Sequence, residues 1–555
     1  MIRQTVILSL TLVISLIFVN SISAQTGQAA RYQPGDWVNY SNFHYVTSFE
    51  EGDRYVYIGT THGVLRFNKT SERYEYPYTL SNGLQNDYVL NMVFLSDTDE
   101  LWVFTRGGVD VIYTVLDRWE HIGGAEGILQ QAGRGVRVGL SPSSVWLRVN
   151  QSETHEFSRN GQFYRGRGGA ANSQVQWKSQ NYTNDGLNQY FLGRQWSVNR
   201  LNNTLENENF REYQFTVRMR DTQNREWIGT WGAGFILADP VTMEGEVERF
   251  GPLSSAVGAL FKKGNRFWFG SAAAWYVGPP SIEGEHGISS WNTGRYEWSH
   301  YTSAEEHDIE ETSVYAITGD EERIWFGTDR GLLSYRPEED QWYHPDHPSL
   351  GSNQIYDVEV TDTTLWVATR TGLYDVAHPS GYVRERLTLL ENRFLSAYDL
   401  TIQGDSIFVG TDQGLVSVHR NTHAIRYYDD DGNNIPIDKF HGLRIYTLDS
   451  AGDKLYYAND FGVFELNLAT KELTQLPKLG LLARSVVRVI QAGPENLWVG
   501  FDDGLGRYFI EPQEWRFYTT EDGLAANQIY DLVLTNGEIW CATRRGVTRF
   551  RIDKF

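Results

Sequence analysis

The sequence predicts an all-β protein made of two β-propellers, with about 11–12 four-stranded blades in total. Three observations predict it. A short motif recurs, seen at Leu497-Trp498-Val499-Gly500, at Ile324-Trp325-Phe326-Gly327-Thr328 and at Leu365-Trp366-Val367-Ala368-Thr369, with further copies centred on Tyr57, Trp102, Trp146, Trp227, Trp268, Phe408, Tyr456 and Trp540. Most neighbouring centres lie about 40–45 residues apart, the length of a propeller blade. The composition agrees: 18 Trp, 32 Tyr and 53 Gly suit short aromatic strands joined by tight turns. A chain of 555 residues is larger than a usual single core. One ring of more than about eight blades is uncommon, so two rings are expected.

Taken in order, the chain starts with Arg3, an apolar run from Val6 to Val19, and the small residues Ser21-Ile22-Ser23-Ala24. Residues 1–24 read as a secretory signal peptide, with no membrane insertion after its cleavage. No cysteine stands at the cleavage site to carry a lipid. Residues 36–44 follow, and Asp36-Trp37-Val38-Asn39-Tyr40 is similar to the outer strand Glu514-Trp515-Arg516-Phe517-Tyr518. The last repeat has only three strands before Phe555, so residues 36–44 are expected to close it, removing a loose sheet edge. The repeats divide into an expected first propeller at 45–300 and a second at 301–555, six blades each.

One repeat shows the strand logic. Ile355 to Val360 alternates and forms an inner strand; Leu365 to Thr369 is the second, Leu373 to Val376 the third, and Tyr382 to Leu387 the outer one. The Trp of the second strand fills the wedge between neighbouring blades, and the small residue two places on lets sheets approach closely. The period fails twice. Between Trp146 and Trp227 there is room for a weak extra blade around Trp196 or for one long insertion, and after Trp268 an insertion spans Ser271 to His286.

The formal net charge of -21 disfavours nucleic acid and anionic membrane surfaces, which call for basic patches. The single cysteine, Cys541, occupies the position of Val499 in the repeat and reads as a core residue, so packing alone must stabilise this chain. No nucleophile elbow, metalloprotease helix or phosphate loop is present, and no cofactor is expected.

The motif Leu-Trp-Val-Gly-Thr-x-x-Gly-Leu is followed by Phe517-Tyr518-Thr519-Thr520-Glu521-Asp522-Gly523-Leu524-Ala525-Ala526-Asn527-Gln528-Ile529-Tyr530-Asp531. Together they resemble the two-component regulator propeller repeat. That resemblance covers nearly the whole chain after residue 24. It implies a relation to the periplasmic sensors of bacterial hybrid two-component systems, which carry two seven-bladed rings, a membrane span, a kinase and a regulator. It equally implies a relation to the double propeller of a surface-associated type IX secretion component. This chain carries no span, kinase, regulator or C-terminal sandwich domain before Phe555, so the expectation is a module that works with other proteins.

In propeller geometry, the connection into each inner strand and the turn between second and third strands share one face. The first kind carries Asn353-Gln354, Asn527-Gln528, Asn188-Gln189, Asn86-Asp87 and Asn392-Arg393. The second carries Asp329-Arg330, Arg370, Asp412-Gln413, Asp460, Asp502-Asp503, Arg544-Arg545 and His62. The candidate ligand-binding face is therefore Asn353, Gln354, Arg370, Asp329, Arg330, Asp412, Asp502, Asp503, Asn527, Gln528, Arg544 and Arg545. These groups can bond sugar hydroxyls, peptide backbone or a partner's polar rim. The competing reading is that Asn and Asp here cap their own turns.

Asp429, Asp431 and Asn433 form a candidate calcium loop, but Phe440 stands where a bidentate Glu would close an EF-hand, so a solvated turn competes. Glu305-Glu306-His307-Asp308 with Glu310-Glu311 could hold a metal or an acid–base pair, against a plain solvated charge run. Two functions follow. One is an exported, non-catalytic binding module for a protein partner or a glycan, of the type used in sensing or in envelope and secretion assembly, placed in the periplasm or at the cell surface. The other is a propeller lyase or hydrolase acting on a carbohydrate or lactone at a channel mouth.

Overall fold

The computed structural model describes residues 35–553 with Tyr32 and Gln33, apart from 134, 150–152, 160, 167–173, 179–185, 273–284, 303–308, 310–311, 346–349, 351–352, 391–394, 430–431, 437–438 and 478–484. The signal segment 1–24, Asn392-Arg393, Asp431 and the acidic run from Glu305 to Asp308 lie outside the described residues.

Alternating strands and tight turns give eleven antiparallel sheets among the described residues, most of them four-stranded. In chain order they are blade 1 (46–78), blade 2 (89–122), blade 3 (137–177), blade 4 (196–248), blade 5 (257–301), blade 6 (314–343), blade 7 (355–387), blade 8 (397–435), blade 9 (447–475), blade 10 (487–518) and blade 11 (529–551 with 37–40). In blade 11 the strand Trp37–Tyr40 pairs with Gly546–Arg551, Trp37 opposite Phe550 and Tyr40 opposite Val547. Gly546 is needed there: its φ is +111°, and a Cβ would run into the carbonyl of Tyr40.

The inner strands touch in two sets. Val257–Lys263, Val314–Gly319, Ile355–Val360, Ala397–Gln403, Thr447–Ala451, Val487–Ala492 and Ile529–Thr535 follow one another, and the last returns to the first. That closes a circuit of blades 5 to 11, the second propeller. Glu212–Arg220, Val46–Glu51, Val89–Leu95 and Arg137–Ser141 make the other sequence of contacts, blades 4, 1, 2 and 3, the first propeller. These contacts cross the boundary expected at residues 300 and 301, because blade 5 packs on blades 6 and 11.

The motif tryptophans explain these contacts. Trp325 is fully buried and belongs to the same apolar cluster as Ile355, Val358 and Leu365 of blade 7. Trp366 packs with Leu400 and Val416 of blade 8, and Trp498 with Leu532 and Ile539 of blade 11. Trp540 closes the second circuit: its centroid lies 4.3 Å from Phe267 of blade 5. Trp227 turns to Phe67 of blade 1, 5.2 Å away. Each indole is thus the wedge that joins one sheet to the next. Cys541 shares this core, fully buried.

The region around Trp196 is an insertion, not an extra blade. Trp196–Asn199 and Thr204–Asn207 form a hairpin that joins the sheet of blade 4, giving it six strands.

Candidate site at the mouth of the second propeller

In blade after blade, the turn following the Trp strand donates a main-chain N–H to the residue before the inner strand. Arg370 N reaches Gln354 O at 3.2 Å, Arg544 N reaches Gln528 O at 3.3 Å, and Asp329 N reaches Ser313 O at 3.1 Å. The two kinds of connection therefore meet on one face.

The twelve candidate residues divide by what they touch. Asn527 Oδ1 accepts from Thr520 N at 2.8 Å and locks its own connection. Asp87 does the same with Leu80 N at 2.8 Å, and burial pushes its carboxyl up to about 6. Asn353 is buried and donates to Thr371 Oγ1 at 2.6 Å, and Asp329 accepts from Ser313 N at 3.0 Å. Asp412 is half-buried, and burial raises its carboxyl. Asn527, Asp87, Asn353 and Asp329 thus hold turns. His62 is buried between Thr61 Oγ1 and Ser255 Oγ, away from solvent. Arg330, Arg370, Asp503, Arg544 and Arg545 are exposed, while Gln354, Asp502 and Gln528 are half-buried.

Residues missed by sequence reasoning complete the site. Most inner strands of the second propeller carry a β-bulge at their second residue, where the register slips by one, as between Ile355 and Asp357 or between Ile529 and Asp531. A bulge leaves that residue unpaired and re-aims its side chain. The bulged residues are Gly258, Tyr315, Tyr356, Tyr398, Arg488 and Tyr530 in blades 5, 6, 7, 8, 10 and 11. In blade 9, Tyr446 precedes the inner strand.

They connect in two runs, together called the girdle. Gln354 Nε2 donates to Tyr315 OH at 2.8 Å and Tyr356 OH donates to Gln354 Oε1 at 3.1 Å, bridging blades 6 and 7. Tyr356 and Tyr398 stand 5.3 Å apart between centroids. The Arg444 guanidinium lies 5.6 Å from the Tyr398 centroid and 5.8 Å from that of Tyr446. Tyr446 OH donates to Asp460 at 2.8 Å, and Arg488 pairs with Asp502 at 2.5 Å while lying 6.0 Å from the Tyr530 centroid. Burial raises the phenols of Tyr356, Tyr446 and Tyr530, so all three stay protonated donors at neutral pH. In the first propeller the corresponding residues are Thr47, Leu90 and Thr216, and no such girdle forms among the described residues.

The carboxylates one residue further along play another part. Asp357 Oδ2 accepts from Leu400 N at 2.9 Å, Asp399 Oδ2 from Leu448 N at 2.8 Å, and Asp531 Oδ2 from Leu260 N at 2.7 Å. Thr447 Oγ1 takes Ile490 N at 3.1 Å in the same way. Each fastens one inner strand to the next blade. Burial pushes Asp531 up to about 7, and burial with the charge of Asp357 raises Asp399.

The candidate calcium loop is a turn in its described part: Asp429 Oδ1 accepts from Asn433 N at 2.7 Å. No group of three metal-ligating side chains comes together among the described residues. Among them, too, no helix is long and apolar enough to cross a membrane. A groove of about 790 Å³ lies on blade 4, lined by Phe191, Trp196 and Glu244 among others.

No family model matches the chain, and no curated protein matches it by sequence. Solved structures do. PorZ, an essential surface component of the type IX secretion system of Porphyromonas gingivalis, aligns at a TM-score of 0.58 and 12% identity, over 93% of this chain and 87% of that one. The extracellular domain of a one-component system of B. thetaiotaomicron aligns at 0.41 and 14%, over 91% and 70%, and that of a hybrid two-component system of the same organism at 0.43 and 15%, over 91% and 67%. At such identities the likeness is one of fold, and across nearly its whole length this chain shares the fold of PorZ.

Proposed function

We propose that the protein is an exported, non-catalytic binding module whose ligand, a glycan or a segment of a protein partner, seats on the mouth of the second propeller. The girdle of Tyr315, Tyr356, Tyr398, Tyr446, Arg488 and Tyr530 carries this reading. Half-buried phenols offer flat apolar faces together with hydroxyl oxygens able to accept a further hydrogen bond, and the amides of Gln354 and Gln528 with the guanidiniums of Arg370, Arg444 and Arg544 ring them. That combination suits polyhydroxylated ligands and extended peptide backbone, which present both apolar faces and hydrogen-bonding edges. Export rests on the segment 1–24 and is in keeping with the extracellular neighbours.

The enzymatic alternative needs an acid and a base free to meet a substrate. The inner-strand carboxylates Asp357, Asp399 and Asp531 are instead engaged with main-chain N–H groups of neighbouring blades. This favours binding over catalysis.

A glycan array and a pull-down from envelope extract, each run with the mature protein and with Tyr356→Ala/Tyr398→Ala, test the proposal. The expected result is a ligand retained by the mature protein and weakened at least tenfold by the double substitution. Equal retention by both proteins contradicts it.

A further inference from the structure

In the first propeller the inner edge of blade 3 holds a further segment of the chain itself. The sheet of blade 3 has a fifth strand, Gln176–Trp177, paired to the inner strand Arg137–Ser141 on the side away from the rest of the blade. In a propeller that side faces the central channel. Trp177 stands opposite Gly139 and Gln176 opposite Leu140, and Lys178 N donates to Val138 O at 3.0 Å. Lys178 Nζ then crosses to Glu50, on the inner strand of blade 1.

The surroundings are shaped for this segment. A Cβ on Gly139 would lie 2.6 Å from Val175 Cγ1 and 2.9 Å from Trp177 Cε3, so only glycine leaves room for the strand. The Arg148 guanidinium covers the Trp177 indole at 4.0 Å, and Val175 is buried. Glu50 is buried too: it accepts from Phe94 N at 2.7 Å, and its ammonium partner comes from Lys178.

The hold is nevertheless short. Two of the five acceptor residues are ladder-paired and a third, Val138, accepts from Lys178 N; Ser141 has no ladder partner on the channel side among the described residues. A two-residue strand is marginal, and an incoming strand spanning the whole edge makes more main-chain hydrogen bonds.

We propose that the channel edge of Arg137–Ser141 is a strand-acceptor site for an extended peptide of a partner protein. The segment Val175–Lys178 occupies it as a tethered stand-in. The peptide carries an aliphatic residue, then an aromatic two places on, then a cation, the order displayed by Val175, Trp177 and Lys178. The apolar pair fills the space over Gly139, and the cation neutralises Glu50. This site is independent of the girdle of the second propeller.

The test uses a fluorescein-labelled peptide with the sequence of residues 171–180, followed by fluorescence anisotropy. Its receptors are the full mature protein and the triple variant Val175→Ser/Trp177→Ser/Lys178→Ser, in which the stand-in is disabled. The variant is expected to bind the peptide at least tenfold more tightly than the unaltered protein does. Adding Gly139→Val to the triple variant, with circular dichroism unchanged, is expected to abolish that binding. Equal binding by variant and unaltered protein, or binding indifferent to Gly139→Val, overturns the proposal. If the triple variant does not fold, Lys178→Ala alone carries the test: at least a threefold gain supports the site, and no gain overturns it.

Discussion

Asp531 shows how much one side chain can decide. Its carboxylate spans from blade 11 to Leu260 N of blade 5, the junction at which the second propeller closes. Asp531→Ala leaves a buried N–H without a partner and is expected to cost about 1–3 kcal/mol. Asp531→Asn keeps an acceptor oxygen and is expected to be nearly neutral at low pH. The pH dependence has a definite sign. The folded-state pKa is raised to about 7, so the native chain binds a proton more readily than the unfolded one. That contribution is present at low pH and is lost as pH rises from the ordinary carboxylate range through about 7. The Asn variant should therefore gain on the unaltered protein across that window, measured by urea unfolding at stepped pH. A variant that loses ground as pH rises would show that the carboxylate is held ionised.

The same residues show what could be read in advance. Trp325, Trp366, Trp498 and Trp540 were legible as wedges because a fixed period and one large buried side chain per repeat leave few other readings. The tyrosines of the girdle were not. Tyr356 and Tyr530 sit in strands whose pattern has period two, and a bulge is a slip in partner register, which one strand's pattern does not display. The amides beside them were legible as a face. Their individual roles, such as Asn527 bonding Thr520 N, depend on turn geometry that spacing alone does not fix.

At the scale of the element, the strand Trp37–Tyr40 ties the beginning of the described chain to its end. Trp37 stacks on Phe550 with centroids 3.9 Å apart and planes 6° apart, and it is nearly fully buried. Truncating such a residue costs about 3–5 kcal/mol. Trp37→Ala is expected to lower the melting transition of blades 5 to 11 by about 2–4 °C per kcal/mol lost. Calorimetry combined with limited proteolysis checks this. Loss of blades 1 to 4 first would contradict it. Strands of two residues mark the limit of sequence reading at this scale. Gln176–Trp177 lies in the irregular stretch before Trp227 and has no alternation to betray it; only Gly139 opposite, with the indole against it, makes its docking evident.

At the scale of the whole molecule, the two propellers meet over buried polar groups. Glu285 receives Arg249 at 2.9 Å and the hydroxyl of Tyr213, while His300 Nε2 lies 3.0 Å from Arg249 O. His44 packs edge-on against His300 at 5.3 Å. Burial, with Arg249 adding to it, lowers His44 far below its usual value and His300 to about 3; burial, with Arg545 adding, lowers His62 to about 3. These rings stay neutral in the folded chain, whereas the unfolded chain takes protons below about 6.5. Their contribution to stability is therefore present above about pH 6.5 and falls as pH drops toward 3, by up to about 1.4 kcal/mol per pH unit for each histidine. Buried carboxylates such as Asp531 work in the opposite sense. The distinguishing prediction is thus a difference: His300→Gln should flatten the acid side of the stability profile relative to the unaltered protein, read by thermal melts from pH 7 to pH 4. Parallel profiles would show that the joint does not sense protons.

The central claim is that the mouth of the second propeller, lined by its bulged tyrosines, is the surface that binds. Hydrogen–deuterium exchange of the mature protein, with and without the ligand captured from envelope extract, tests it most directly. The account predicts slowed exchange at 353–357, 396–399, 444–447, 486–489 and 527–531, with 46–50 and 89–93 unchanged. Protection confined to blades 1 to 4, or spread over the outer strands with the girdle untouched, would contradict it.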